Sequence, residues 1–117
     1  DLAVVSAYPA SQAALARIDP TDSRIAERFE IFCAGLEVAN GYRELRDPSE
    51  QERRFSSDRT ARARLGRPDI VPDSALLAAL AAGLPDCAGV ALGFDRVLMF
   101  LLGLPDIQSA ISFPAGS

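Results

Sequence analysis

The sequence contains no histidine and no lysine, because all twelve of its basic residues are arginine. Without histidine, the chain lacks the usual general base and the usual zinc ligand. Without lysine, it can use neither Schiff-base chemistry nor a P-loop lysine. Any chemistry must therefore come from carboxylates, arginines, backbone amides and a metal ion. That set suits reactions on phosphates, which depend on positioning and charge neutralisation.

Cysteine and long apolar runs are also scarce. Cys33 and Cys87 stand alone, which favours free buried thiols over a disulfide or a metal site. No run approaches the roughly 20 apolar residues that span a bilayer, and the start of the chain does not look like a signal peptide. The net charge of −4 argues against a surface that coats nucleic acid. We therefore expect one cytoplasmic domain, residues 1–117, with no membrane partner.

The order of the predicted elements indicates an α+β fold, an antiparallel sheet flanked by helices. Strands are predicted over 2–8, 28–34, 36–45 and 87–94, and helices over 48–65, 75–82 and 96–102. One or two helical turns are expected within 11–18, a loop at 19–22, and a helical turn followed by a short strand within 106–114. The second helix is apolar nearly all round, so we expect it to be buried.

Capping signals mark the helix ends. Asp47, Asp73 and Asp95 are the predicted N-caps, and Gly66 and Gly83 are the predicted stops. The first helix carries five arginines that alternate with acidic residues, which favours a solvated face over a patch that binds an anionic ligand.

Carboxylates interrupt the hairpin at residues 29–45, although strands disfavour them. With a two-residue turn at Ala34-Gly35, residue 32 faces 37 and residue 30 faces 39. Glu30, Phe32, Glu37 and Ala39 then share one face. Two neighbouring carboxylates resist pairing unless a cation lies between them. The spacing therefore predicts a site for a divalent ion or a ligand ammonium.

Glu44 lies seven residues after Glu37, so in an unbroken strand the two would point to opposite faces. A bulge at Asn40-Gly41 would bring Glu44 to the same side. The alternative is that Glu44 faces solvent beside Arg43 and Arg46.

A glycine-rich junction from Gly89 to Arg96 joins the last strand to the last helix. Glycines there allow a ligand to approach the backbone, and Arg96 in the first helical turn could pair with phosphate. The alternative is close packing, with Arg96 paired to Asp95 or Asp86.

Together these two motifs resemble the catalytic domain of class II aminoacyl-tRNA synthetases, specifically the lysyl branch. Residues 29–45 look like that branch's metal and lysine-binding hairpin, and residues 89–96 look like the third signature motif of the class. Within the branch, residues 8–15 and 85–93 are more similar to stand-alone relatives that modify elongation factor P. The resemblance covers residues 2–114.

The resemblance implies ATP and Mg²⁺ as cofactors. It implies that Glu37 and Val38 contact ATP, that Glu30 and Glu37 hold Mg²⁺, and that Gly93 lies against the nucleotide. Arg96 would be the catalytic arginine, which binds ATP and neutralises its phosphates.

For the amino acid, the resemblance implies that Glu44 binds a substrate ammonium with the help of Asn40. Ala91, where lysyl-tRNA synthetases usually carry glycine, would shape the pocket toward β-lysine. The implied activity is activation of lysine or β-lysine as an adenylate and its ligation to a lysine of elongation factor P.

The first two signature motifs of the class are absent, so the resemblance implies only the C-terminal part of a catalytic domain, and we expect the isolated chain to be incomplete as a catalyst. The full-length protein would be a homodimer. Two alternatives remain: part of a synthetase that charges lysine tRNA, and a non-catalytic truncated paralogue that acts as a binding or structural module.

Overall fold

The computed structural model describes residues 1–114, and over this range one four-stranded sheet is accompanied by three α-helices. The strands are β1 (Leu2–Pro9), β2 (Ile25–Cys33), β3 (Leu36–Arg43) and β4 (Ala88–Leu92). The helices are α1 (Pro48–Arg64), α2 (Ser74–Ala82) and α3 (Phe94–Leu102), with short 3₁₀ turns at Ala10–Gln12 and Ile107–Ala110. All pairings are antiparallel in the order β1-β2-β3-β4, so the predicted α+β class is confirmed.

The hairpin between β2 and β3 turns where the sequence predicts. Ala34 and Gly35 both have positive φ, 48° and 82°, as a two-residue type I′ turn requires. The first strand of the hairpin begins at Ile25 rather than at residue 28. It is longer than predicted because its start pairs with the end of β1, where Tyr8 lies opposite Ala26.

The register of the hairpin changes at Val38. Phe32 pairs with Glu37 as predicted, but Ile31 pairs with Ala39 and Glu30 with Asn40, so Val38 is an extra residue on β3. The bulge therefore lies at Val38, and the predicted bulge at Asn40-Gly41 is wrong. Ala39 consequently shares the face of Ile31 and is buried, instead of lying beside Glu30.

The ends of α1 and α2 follow the capping signals. The Asp47 carboxylate accepts hydrogen bonds from the amides of Ser49 at 2.9 Å and Glu50 at 3.2 Å. Asp73 accepts one from Ala75 N at 2.8 Å. Beyond α1, Gly66 adopts a positive φ of 64°.

The arginines of α1 are held by local partners. Arg53 and Arg54 pair with Glu50, and Arg59 pairs with Asp69. The guanidinium of Arg62 donates to a backbone carbonyl. Arg53 and Arg59 are exposed, in agreement with the predicted solvated face. Arg54 is mostly buried, because it also donates to the carbonyls of Ala14 and Ala16 and so joins α1 to that segment.

Several element predictions are wrong. No residue of α2 is buried, because within residues 1–114 this helix packs against α1 and not under the sheet. Helix α3 begins one residue before Asp95, so Gly93 is its N-cap and Asp95 lies in its first turn. Residues 11–18 hold a single 3₁₀ turn, and no strand forms over 111–114; residues 115–117 lie outside the described part.

The buried core is small and lies between the 13–18 segment and the sheet. One cluster there consists of Ala13, Ala16 and Ala26, packed against partly buried Tyr8, Ile18 and Tyr42. Three further apolar residues are buried in or just after β3: Val38, Ala39 and Leu45. Both outer strands are largely exposed, including Leu2 at 70% and Val90 at 62%. Cys33 and Cys87 are free thiols, as expected, but both are half-buried and not buried. None of the helices in residues 1–114 has the length and apolar character of a bilayer span.

Candidate active site

One face of the sheet carries most of the predicted site residues. Glu30 pairs with Asn40, and Asn40 pairs with Ala91, so that three adjacent strands place these residues in one row. The next row consists of Arg28, Tyr42 and Gly89. Because the bulge at Val38 adds one residue between them, Glu37 also shares this face with Asn40.

Glu44 reaches the same face at the end of β3. Its Oε1 lies 3.0 Å from the position that a Cβ would occupy on Gly89, so the carboxylate lies over β4. It lines a cleft of about 310 Å³ together with Asn40, Tyr42, Gly89, Val90 and Ala91. The prediction that a bulge returns Glu44 to the side of Glu37 is confirmed, although the bulge lies elsewhere.

Glu30 is buried and fully engaged. The Tyr8 hydroxyl donates to its Oε2 at 2.6 Å, and Arg28 Nη2 donates to its Oε1. Glu30 is 8% exposed, and burying a carboxylate requires such partners. Each oxygen keeps a second lone pair, but only 10% of the side chain is exposed, so the carboxylate offers a metal ion little room.

Asn40 has its amide orientation fixed by Arg28. The Arg28 Nε lies 3.2 Å from Asn40 Oδ1, and a guanidinium can only donate. In residues 1–114 the Asn40 Nδ2 has no hydrogen-bond partner in the protein. Every buried side-chain nitrogen or oxygen in this range does have a partner, so Nδ2 is not buried. The amide nitrogen is therefore accessible, and Asn40 presents a donor to a ligand.

Arg96 links the first turn of α3 to the hairpin. Its Nη1 donates to the carbonyl oxygen of Glu37 at 2.7 Å and lies 4.0 Å from Glu37 Oε1. The alternative pairing with Asp86 is not formed, because Asp86 pairs with Arg43. Arg96 is half-exposed, which leaves the rest of the guanidinium open to a ligand.

Val38 and Gly93, both predicted to contact ATP, meet directly. Gly93 N donates to Val38 O at 2.9 Å, which joins the bulge of β3 to the start of α3. The structure thus brings Glu37, Val38, Gly93 and Arg96 together at one end of the sheet face. Glu44 and Ala91 line the cleft beside Asn40.

Within residues 1–114 no three acidic or cysteine side chains are grouped to hold a metal ion. Mg²⁺ is usually held by one or two carboxylates together with substrate phosphates, and does not need a cage made by the protein. Glu37, whose carboxylate is about two-fifths exposed, fits such a role better than the engaged Glu30.

Two tyrosines on this face have perturbed acidities. The hydrogen bond to Glu30 raises the pKa of Tyr8, with burial adding to the shift. Burial raises the pKa of Tyr42, and the negative charge of Glu44 raises it further. Both tyrosines therefore stay protonated near neutral pH, and Tyr8 donates its hydroxyl hydrogen to Glu30.

Two site residues were not predicted as such: Tyr8 and Arg28. Arg28 lies two residues before Glu30 and so shares its face, a signal that strand alternation carries. Tyr8 lies 22 residues away from Glu30 along the chain, and only the register of β1 brings the two together.

The sequence matches the family described as tRNA synthetases class II (D, K and N) over residues 1–117. It is 53% identical over 112 residues to a protein of Vibrio atlanticus, covering 96% of this chain and 35% of that protein. A relative from Klebsiella pneumoniae is 55% identical over 106 residues, covering 91% of this chain and 33% of that protein.

A third relative, from Proteus mirabilis, is 52% identical over 107 residues, with 92% of this chain and 33% of the relative covered. All three relatives are named elongation factor P–(R)-β-lysine ligase. The chain spans about a third of the length of the curated relatives it matches.

Proposed function

Because this chain belongs to the class II tRNA synthetases (D, K and N), we propose that it is the C-terminal part of a ligase that activates β-lysine with ATP and attaches it to elongation factor P. The names of the relatives support this acceptor over lysine tRNA. The single observation that carries the proposal is the sheet face on which the Glu44 carboxylate and the Arg96 guanidinium flank one donor, Asn40.

The amino acid lies in the cleft beside β4 in this proposal. Within residues 1–114 no arginine forms an ion pair with Glu44, so its carboxylate is free to accept an ammonium group of the substrate. Asn40 presents its Nδ2, which suits a carboxylate oxygen of the substrate better than an ammonium group. This differs from the expectation that Asn40 assists Glu44. Ala91, opposite Asn40, narrows the cleft by a methyl group relative to glycine.

The nucleotide lies at the other end, against Val38 and Gly93. Arg96 neutralises phosphate charge and is the catalytic arginine. Mg²⁺, held by Glu37 and the phosphates, would supply further neutralisation. We assign Glu30 to holding Arg28 in place and not to the metal ion.

The reaction needs alignment more than proton transfer. A carboxylate oxygen of the amino acid forms a bond to the α-phosphorus while the bond to the β-phosphate oxygen breaks, which releases pyrophosphate. The amine of the acceptor lysine then attacks the carbonyl carbon of the adenylate, forms an amide, loses a proton and releases AMP. Asn40 holds the carboxylate of the amino acid, and Arg96 holds the phosphate and neutralises its charge. The first step therefore needs no histidine.

A chimera tests this function. In this chimera, the present chain replaces the matching third of the Vibrio atlanticus relative. ATP–pyrophosphate exchange is then measured with (R)-β-lysine and with lysine. We expect faster exchange with β-lysine and transfer to elongation factor P. Faster exchange with lysine together with charging of lysine tRNA would contradict the proposal. An inactive chimera that binds no ATP would favour a non-catalytic module.

Variants of the chimera locate the site. Glu44→Gln removes the charge that faces the ammonium and should lower kcat/KM by about ten- to a hundredfold, because a hydrogen bond to a charged group is worth about 1.5–3 kcal/mol. Glu27→Gln is the matched control, because Glu27 pairs with Arg17 away from the cleft.

Light scattering on the chimera tests the proposed homodimer, and cell fractionation tests the proposed cytoplasmic location.

A further inference from the structure

The roles proposed above do not explain why Arg28 makes so many contacts at the site face. Its Nε donates to Asn40 Oδ1 at 3.2 Å and its Nη1 donates to the Gln12 carbonyl at 2.7 Å. Its Nη2 donates to Glu30, and its Cζ lies 4.7 Å from the centroid of the Tyr8 ring. The side chain is 16% exposed. Four neighbours therefore fix one guanidinium in one orientation.

This fixed guanidinium selects one orientation of the Asn40 amide. An asparagine amide can rotate by a half turn and exchange an acceptor for a donor at nearly no cost in shape. Arg28 has only donors, so the amide must turn its oxygen toward Arg28 and its nitrogen toward the cleft. The charge of Arg28 is balanced by Glu30, so its effect on a ligand operates chiefly through the amide.

We propose that Arg28 is a positioning residue that makes the cleft selective for ligands with a carboxylate. This inference rests on the proposed function, since it assumes that an amino acid occupies the cleft. With Arg28 in place, Asn40 offers a donor to a carboxylate oxygen. Without it, the amide is free to turn its oxygen outward, and that oxygen repels a carboxylate but tolerates an ammonium group.

The test compares lysine with cadaverine, which keeps both amines of lysine and lacks its carboxylate. In the chimera, KM for lysine and for ATP is measured by pyrophosphate exchange, and cadaverine is measured as a competitive inhibitor. For Arg28→Gln we expect KM for lysine to rise about tenfold, while the inhibition constant of cadaverine and KM for ATP stay within about twofold.

Two further variants separate charge from orientation. Arg28→Lys keeps the charge but loses the planar fork, so it should resemble Arg28→Gln. Asn40→Asp keeps an acceptor for Arg28, removes the donor and adds a negative charge, so it should weaken the binding of lysine without weakening that of cadaverine. If Arg28→Gln fails to fold, Asn40→Asp with Arg28 intact carries the test. Arg43→Gln is the control, because Arg43 is an ion-paired arginine that is bound to Asp86 and not to Asn40.

Equal loss of lysine and cadaverine in Arg28→Gln, or no loss of either, would overturn the inference while leaving the proposed function intact. So would an Arg28→Lys variant that matches the unsubstituted chimera. Exchange with neither (R)-β-lysine nor lysine in the unsubstituted chimera would instead refute the proposed function, and the inference with it. If only (R)-β-lysine supports exchange, its KM takes the place of the KM for lysine in these comparisons.

Discussion

Replacing Gly41 by alanine tests how tightly β3 lies under the ring of Phe29. Gly41 is buried, and a Cβ there would lie 2.5 Å from Phe29 Cζ and 2.6 Å from Cε1. Since carbon atoms pack at about 3.5–4.0 Å, the ring must withdraw by about 1 Å. The Gly89 carbonyl oxygen, 3.1 Å from the same Cβ, limits movement of β3 toward β4. Overpacking costs about 1–3 kcal/mol, and we expect the upper half of that range.

Urea unfolding followed by far-UV circular dichroism measures the effect. With a slope of about 1–3 kcal/mol per molar urea, the midpoint should fall by about 1 M. Gly93→Ala is the matched control, because its Cβ would meet no atom closer than 3.4 Å, an ordinary contact. A loss in Gly41→Ala no larger than in Gly93→Ala would refute the reasoning. If the clash is the cause, Phe29→Ala should cost less in the Gly41→Ala background than alone.

Three further predictions concern stability. Asp47→Ala removes the N-cap of α1 and should lower the free energy of unfolding by about 1 kcal/mol in urea titrations, whereas Asp47→Asn should lower it less. Ala34→Gly should raise it by about 0.5–1 kcal/mol by relieving a positive φ, and a decrease would contradict the turn geometry. Arg43 holds the pKa of Asp86 below its usual range, so this stabilisation is present above the unfolded pKa of about 4 and is lost as pH falls through the lower folded value. Asp86→Asn should therefore lower Tm more near pH 7 than near pH 2, as calorimetry at both pH values will show.

Local chemistry explains which parts of the fold could be predicted. The turn at Ala34-Gly35 and the caps at Asp47 and Asp73 depend on residues within four positions of one another, so the sequence carries them in full. The N-cap predicted at Asp95 lies two residues too late, because the helix begins after Gly93 and no side chain caps it.

Long-range geometry explains what could not be predicted. The burial of α2 was predicted wrongly because apolar composition shows that a helix can be buried and does not show against what. The contacts of Glu30 with Tyr8 and Arg28 depend on how three strands align. The sequence indicated that carboxylates gather on the hairpin, but the partners that neutralise Glu30 came only from the register of β1 and β2.

The extra residue at Val38 makes the length of the hairpin matter as much as its composition. Deleting this one residue would place Asn40 two positions and Glu44 six positions after Glu37, so plain alternation would keep all three on one face. The deletion would, however, remove the Val38 carbonyl that accepts a hydrogen bond from Gly93 N. Substitutions at Val38 would leave that arrangement in place. A single-residue gap at position 38 of a natural homologue would therefore indicate that the link between β3 and the start of α3 has been lost, even where the carboxylate face is retained.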